Sequence, residues 1–230
     1  MRILLIAIMV FITPAISTAQ DSMRRMTLTG TGEVFVAPDM ATINLGVSSF
    51  HKQASQAMAM NTQSMAKVFN ALKGAEIESR DIQTSSLSLN PQWDRRSNSN
   101  NQPRIIGYNA QNTVTVRVRD LSKVGPVLDL LTKLGANRIN NISFGIQKPR
   151  PHQDEARKRA VKDARIKAEL YVQAAGVELG QIISINENGG VQRPQPMARI
   201  EMAVMASDAV PIAEGELGIR SNITIVYELK

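Results

Sequence analysis

The stretch that decides the fold runs from Thr27 to Val47 and reads TLTGTGEVFVAPDMATINLGV. Apolar and polar residues alternate in its two halves, on either side of Pro38 and Asp39. Alternation with a period of two is typical of a strand that turns one face toward a core. Proline cannot donate a ladder hydrogen bond, and aspartate bonds locally to turn backbone. The stretch therefore predicts two strands joined by a tight turn into a hairpin.

The start of the chain has the features of a secretory signal peptide. Arg2 gives a positive beginning, residues 3–12 are almost wholly apolar, and Ser17-Thr18-Ala19 supplies small residues before a cleavage site at Gln20. The apolar run is shorter than the roughly 20 residues that span a bilayer. We therefore expect a signal peptide at 1–19, one domain at 20–230, and no transmembrane segment in the mature chain. An uncleaved membrane anchor is the alternative.

Composition narrows the classes of partner and chemistry. The chain has no cysteine, which excludes disulfides, thiol catalysis and cysteine-ligated metal. Its formal net charge is +7. A basic exported protein suits an anionic envelope surface or an acidic partner, whereas export separates it from nucleic acid. The alternative is that the excess charge only keeps the protein soluble. We expect a periplasmic location, with association with the outer membrane as a finer alternative.

Three segments change to a spacing of three or four residues, which predicts helices. The first covers residues 50–74, the second starts with Asp120 or Ser122 as N-cap, and the third covers residues 149–176. Alanine recurs every four residues in the third segment, so we expect this helix to lie close to a sheet. Its helical spacing also predicts three ion pairs, which are Asp154–Lys158, Glu155–Arg159 and Asp163–Lys167.

Strand-like alternation returns between and after these helices. Further strands are predicted at residues 78–91, 104–119, 138–147, 181–187 and 219–229. Together with the helices, they predict an α+β fold in which mostly antiparallel β-sheets carry about three packed helices.

Two segments lack periodicity and are predicted to be loops that contact a ligand or another subunit. Residues 92–102 hold the only tryptophan, which is interpreted either as such a contact or as a lid folded back on the sheet. Residues 188–218 are long and apolar, so we expect part of this segment to dock on a neighbouring subunit. The candidate contact residues are Trp93, Arg95, Arg96, Met197, Met202 and Met205.

The sequence presents no recognisable catalytic, cofactor-binding or metal-binding set. Neither His51 nor His152 has a carboxylate at metal-ligand spacing. Gly30-Thr31-Gly32 lacks the third glycine and the following helix of a dinucleotide site. There is no Gly-x-Ser-x-Gly elbow, and acidic residues are not paired in an apolar setting. We therefore expect no enzymatic activity, no cofactor and no metal.

Several stretches spread in order over nearly the whole mature chain are distinctive as a set, and they include Gly30-Thr31-Gly32-Glu33-Val34, Pro38-Asp39-Met40-Ala41, Asp81-Ile82-Gln83-Thr84, Gly107-Tyr108-Asn109-Ala110, Gly135-Ala136-Asn137 and Pro211-Ile212. Together they resemble the SIMPL-domain family, the YggE-like exported proteins of bacteria, which include a periplasmic immunogen. The resemblance implies an α+β domain in a bacterial envelope, assembly into a homo-oligomer, and an association with oxidative stress or envelope integrity. It implies no established catalytic residue.

Three functional hypotheses follow. The first is a non-enzymatic protein that assembles with copies of itself and supports envelope integrity or oxidative-stress tolerance. The second is a ligand-binding or chaperone-like periplasmic module that uses the segment around Trp93. The third is a hydrolase with an unfamiliar site.

Overall fold

The computed structural model describes residues 24–94, 103–187, 195–197 and 213–230. The predicted signal peptide lies outside these residues. Short 3-10 turns precede the third strand and the second helix, at Ser79–Asp81 and Leu121–Lys123. The helices and strands are β1 (Arg25–Val36), β2 (Met40–His51), α1 (Ala54–Gly74), β3 (Ile82–Asp94), β4 (Arg104–Val118), α2 (Val124–Lys133), β5 (Arg138–Gly145), α3 (Arg150–Ala175), β6 (Leu179–Glu187), β7 (Gln195–Met197) and β8 (Glu216–Leu229).

The strands form two antiparallel sheets, which confirms the predicted α+β class. The central sheet has the order β3-β4-β2-β5. The terminal sheet has the order β1-β8-β6, and β7 also pairs with β8. In the described part of the chain, α1 and α2 pack on the central sheet and α3 packs on the terminal sheet.

The predicted hairpin between the first two strands is wrong, because β1 and β2 belong to different sheets. β1 pairs with β8 along its whole length, and β2 pairs with β4 and β5. The short link at Pro38 and Asp39 carries the chain from one sheet to the other. Asp39 holds this link against β5, since its backbone N–H donates to the carbonyl of Gly145 at 3.0 Å and its carboxylate accepts from the N–H of Gln147 at 2.7 Å.

The buried faces of the two strands show why they separate. β2 turns Ile43, Leu45 and Val47 toward α1 and α2, and these large side chains are fully or almost fully buried. β1 instead turns Gly30 and Gly32 toward α3, and a Cβ on either glycine would overlap the helix backbone. β2 packs large side chains against its helices, whereas β1 leaves no room for a side chain at Gly30 and Gly32. The two strands therefore belong to different layers.

The predicted small-residue stripe of α3 is confirmed. Ala156, Ala160, Ala164 and Ala168 are fully buried against β1 and β8. This row lets the helix backbone approach the strand backbone at the two glycines, where Cα–H groups face carbonyl oxygens. On the same side of the sheet, the neighbouring strand β8 supplies the larger side chains that pack against α3, including Ile219, Ile223, Ile225 and Tyr227.

The ion pairs predicted for α3 are confirmed in part. Glu155–Arg159 and Asp163–Lys167 form at 3.2 Å and 2.7 Å. The third pair is wrong, because Asp154 contacts Arg157 at 2.8 Å instead of Lys158. Arg157 also reaches Glu187 on β6 at 3.0 Å, so it links two elements.

Candidate interaction surfaces

Trp93 lies in a strand and not in the predicted loop. β3 continues past Pro91 to Asp94, and Trp93 stands opposite Ile105 of β4. β3 is an edge strand, where proline is tolerated because its missing N–H costs no ladder bond on the open side. The Trp93 side chain is 50% exposed, so it does not act as a lid buried on the sheet.

Phe50 projects from the face of the central sheet that the helices leave open, at the same end of the sheet as Trp93. Phe50 is opposite Asn109, and its ring lies over Gly107, where any Cβ would overlap it. Ile105 is two residues from Gly107 along β4 and pairs with Trp93. Ile106 lies between Ile105 and Gly107 at a register shift of the β3–β4 ladder, and it is also exposed.

We call Phe50, Trp93, Ile105 and Ile106 the hairpin-end cluster. All four side chains are between 40% and 50% exposed. Isolated exposed apolar residues are ordinary, but a group of them at one end of a sheet marks an interaction surface. Sequence reasoning missed Phe50, because it assigned this residue to the first helix. It missed Ile105 because cross-strand register is not visible in the sequence.

The remainder of this sheet face is polar and bonded within itself. The Thr115 hydroxyl donates to the Asn44 side-chain oxygen at 2.6 Å, and the Ser48 hydroxyl donates to the Asn109 side-chain oxygen at 2.8 Å. The apolar character is therefore confined to the hairpin end.

Of the other predicted contact residues, Met197 alone lies in the described part of the chain. Arg95, Arg96, Met202 and Met205 lie outside the described residues. The backbone of Met197 pairs with Glu216 in the terminal sheet, whereas Trp93 belongs to the central sheet.

The outer edge of β1 is covered by side chains of α3. Lys167 donates to the carbonyl oxygen of Thr29 at 3.1 Å, and Arg159 donates to that of Glu33 at 2.8 Å. Between them, the N–H of Thr31 donates to Asp163 at 2.8 Å. The hydrogen bond from Lys167, followed by that from Thr31, lowers the pKa of Asp163. An edge whose backbone groups are satisfied in this way cannot easily accept another strand.

The opposite edge of the terminal sheet has a different character. Within the described residues β6 pairs only with β8, and it exposes three isoleucines. Ile182, Ile183 and Ile185 are 50%, 42% and 52% exposed. No charged residue occurs between Leu179 and Asn186. Unpaired and apolar edges are sites at which chains associate.

A groove of about 500 Å³ separates β6 from α3. Val161, Leu179 and Ile182 line it, together with the buried ring of Tyr227. Arg165 and Glu169 form an ion pair of 2.8 Å at this groove. Burial raises the pKa of Tyr227. The groove adds apolar concave surface beside the exposed edge of β6.

A buried carboxylate joins the start of β3 to the end of β4. Asp81 accepts two hydrogen bonds from the Arg119 guanidinium, both of 2.7 Å. The side chain of Asp81 is 3% exposed and that of Arg119 is 40% exposed. The paired guanidinium lowers the pKa of Asp81 despite its burial. An ionised carboxylate that accepts two hydrogen bonds stabilises the contact between the start of β3 and the end of β4. It is poorly suited to donate a proton.

The described residues contain no group of three or more side chains able to hold a metal ion. His51 lies at the end of β2, where its Nδ1 accepts from the Gln53 N–H at 3.0 Å, and His152 lies in the first turn of α3. None of the helices in the described ranges is both long and apolar enough to cross a membrane.

Comparison with known proteins identifies relatives over almost the whole chain. The family model SIMPL, described as a protein of unknown function (DUF541), matches residues 26–227. The chain is 39% identical over 212 residues to the 26 kDa periplasmic immunogenic protein of Brucella melitensis, covering 90% of this chain and 85% of that protein. It is 30% identical over 207 residues to the uncharacterized protein YggE of Escherichia coli K12, covering 87% and 81%.

Proposed function

Because this chain belongs to the SIMPL family, we propose that it is a non-enzymatic protein of the periplasm that assembles with copies of itself. The Brucella relative is named as a periplasmic protein, which supports the location. The description of the matching family names no enzymatic activity. Within the envelope, we propose that the assembly supports envelope integrity or tolerance of oxidative stress.

The observation that carries the assembly proposal is the difference between the two edges of the terminal sheet. Side chains of α3 bond the outer backbone groups of β1, so this edge is closed to a further strand. β6 exposes Ile182, Ile183 and Ile185 beside an apolar groove. Burying several such side chains is favourable by about 25 cal/mol per Å² of apolar surface. Contact between copies through β6 would remove this surface from water.

The test is the native mass of the protein beginning at Gln20, measured by light scattering at micromolar concentration and at two salt concentrations. We expect a discrete oligomer that persists at high salt, because apolar contacts are not screened. The variant Ile185→Lys should dissociate it, since a lysine on an edge strand opposes pairing. Ile166→Lys is the matched control, because Ile166 is equally exposed on α3 away from that edge. A strict monomer would refute assembly.

The cellular role needs a separate measurement. A strain lacking the gene should survive peroxide and detergent poorly, and the unaltered chain should restore survival. Ile185→Lys should restore it incompletely if the assembled form performs the role. Full restoration by this variant would separate the cellular role from assembly through β6.

The second candidate function is a ligand-binding or chaperone-like module, and the hairpin-end cluster favours it. Trp93 is half exposed beside other apolar side chains, as in many recognition surfaces. Because Trp93 is the only tryptophan, its fluorescence reports on this surface alone. Unfolded polypeptides or envelope ligands that change neither this fluorescence nor the melting temperature would count against the module.

A further inference from the structure

The register of the central sheet shows which backbone groups of β3 point to its open edge. The N–H of Ser48 in β2 donates to the Asn137 side chain, which donates back to the Ser48 carbonyl, both at 2.8 Å. Both backbone groups of Ser48 therefore point away from β4. Ser48 is opposite Gln111, whose groups must then point away from β2 and toward β3. Since Gln111 is opposite Ser88, Ser88 bonds inward and its two neighbours point outward.

Leu87 and Leu89 thus turn their N–H and C=O groups toward the open edge of the sheet. In the described part of the chain, β3 pairs with β4 alone. The ladder has no register shift between Ser86 and Gln92, so the alternation holds over this segment. Pro91 is the next residue that points outward, and it has a C=O but no N–H. We call Leu87, Leu89 and Pro91 the open row of β3.

The two leucine side chains lie on the helix side of the sheet, yet no helix covers them. Leu89 is opposite Ala110, which is fully buried on that side, and Leu87 is two residues earlier on the same side. α1 packs over β2 and β4. Leu87 and Leu89 consequently remain 58% and 37% exposed. The open row therefore combines outward backbone groups with apolar side chains.

The flank of α1 toward this edge carries another apolar side chain. Ser64 lies on the opposite flank, since a Cβ at Gly135, just before β5, would be 3.7 Å from it. Helical spacing places Phe69 on the flank toward β3, and its side chain is 36% exposed. No charged residue occurs from Ile82 to Trp93. The edge of β3 and the flank of α1 thus border an apolar, uncharged strip.

The chemistry of this strip selects its occupant. Outward N–H and C=O groups at strand spacing are complementary to another extended peptide backbone. Two folded copies that met along this short row would bury far less than the roughly 800 Å² per partner of a stable interface. A flexible segment can also place side chains on the two leucines and Phe69. The absence of charge favours a segment that is itself uncharged and apolar at alternate positions.

We propose that β3 binds an extended, uncharged segment of an unfolded polypeptide as an additional strand. The segment pairs with the open row and lays its alternate apolar side chains against the leucines and Phe69. This binding uses the central sheet, so it depends neither on assembly through β6 nor on the hairpin-end cluster.

The probe is a short synthetic peptide of alternating valine and threonine, with a lysine at each end for solubility. Opposite residues of a ladder share a face, so the valines that contact the leucines are also the residues whose N–H groups point to β3. Methyl groups on the valine amides should abolish binding. The same methyl groups on the threonine amides point away from β3 and should preserve it. Anisotropy of a fluorescent label on each peptide measures binding to the protein beginning at Gln20.

Amide hydrogen exchange, followed by nuclear magnetic resonance, locates the peptide on the protein. We expect exchange at Leu87 and Leu89 to slow about tenfold when the unmethylated peptide is bound, because their amides gain partners. Exchange at Ser88 should not change, since its amide already bonds within the sheet. Leu87→Lys should weaken peptide binding about tenfold. Ser86→Lys is the matched control, because Ser86 is exposed on the opposite face of the same strand.

Melting temperatures establish that both lysine variants are folded. Failure of the unmethylated peptide to bind would overturn the proposal, as would equal binding of the two methylated peptides. Slower exchange at Trp93 without a change at Leu87 and Leu89 would assign the peptide to the hairpin-end cluster instead. Protection of the open row that rises with protein concentration in the absence of peptide would assign β3 to contact between copies.

Discussion

Gly30 of β1 lies so close to the carbonyl oxygen of Ala160 that a single methyl group at Gly30 would overlap the backbone of α3. Gly32 stands in the same relation to Ala156, one helical turn earlier. The terminal sheet and its helix are therefore packed backbone against backbone, and side chains of both elements lie beside this contact.

Gly30→Ala should lower the free energy of unfolding by about 3 kcal/mol, because neither backbone can yield without disturbing the layer. Urea unfolding measures the change. Gly74→Ala is the control, since a Cβ at Gly74 meets nothing within 4 Å. If the two alanine variants unfold at the same urea concentration, the close approach of β1 and α3 is incorrect.

Arg119→Met should lower the free energy of unfolding by about 2–3 kcal/mol, because it leaves the buried Asp81 carboxylate without its partner. The expected loss of stability is smaller than for a fully buried ion pair, because Arg119 is partly exposed. Arg80→Gln breaks the exposed pair with Glu78, so its cost should stay below about 0.5 kcal/mol. Thermal and chemical unfolding of both variants test the contrast, and equal costs would contradict the assigned role of Asp81.

The stabilisation due to Asp81 should depend on pH. Its pKa in the folded protein lies below the ordinary value of 3.8, because of the hydrogen bonds from Arg119. As pH falls, Asp81 is protonated in the unfolded chain before it is protonated in the folded protein. The stabilisation is therefore full above about pH 4 and is lost as pH falls through the pKa of the folded protein. The stability advantage of the unaltered protein over Asp81→Asn should shrink in acid.

Unfolding free energies measured from neutral pH down to strong acid give this difference directly. Glu214→Gln serves as the comparison, because Glu214 is exposed and makes no hydrogen bond or ion pair in the described part of the chain. An advantage over Asp81→Asn that stays constant into strong acid would show that the carboxylate charge is not involved.

Asp163→Ala should both destabilise the protein, by about 1 kcal/mol, and increase its tendency to aggregate. The variant removes the acceptor of the Thr31 N–H and so exposes the edge of β1. Asp163→Asn keeps an acceptor oxygen and should aggregate less. Light scattering during incubation near the melting temperature distinguishes them. Identical aggregation of the two variants would argue that Asp163 does not protect this edge.

The local patterns of the sequence were sufficient for the elements but not for their partners. The alanine period predicts the buried stripe of α3 because helix geometry alone places those residues on one face. The alternation around Pro38 predicts two strands equally well, but it contains no information about pairing. β1 and β2 therefore separate into two sheets although they are neighbours in sequence.

The candidate surface was predicted only at Trp93. Pro91 suggests the end of a strand, yet an edge strand accepts proline, so Trp93 lies within β3. Its neighbours depend on register across three strands, which brings Phe50 over Gly107 and Ile105 opposite Trp93. The exposure of isoleucine on β6 was equally hidden, because the sequence of an edge strand resembles that of a buried one.

The pairing of β1 with β8 also sets the order in which the protein can fold. Thr29 and Thr224 touch across this ladder at 3.2 Å, although 195 positions separate them. The central sheet uses only residues up to Gly145 and can therefore form before β8 has been made. The terminal sheet cannot form until β8, the fourteen-residue strand between β1 and β6, has been made. Closing so long a loop is slow, and until it closes, the glycine face of β1 and the alanine face of α3 lack the strand that completes their layer. The final step of folding therefore depends on β8, which follows all the other described strands along the chain.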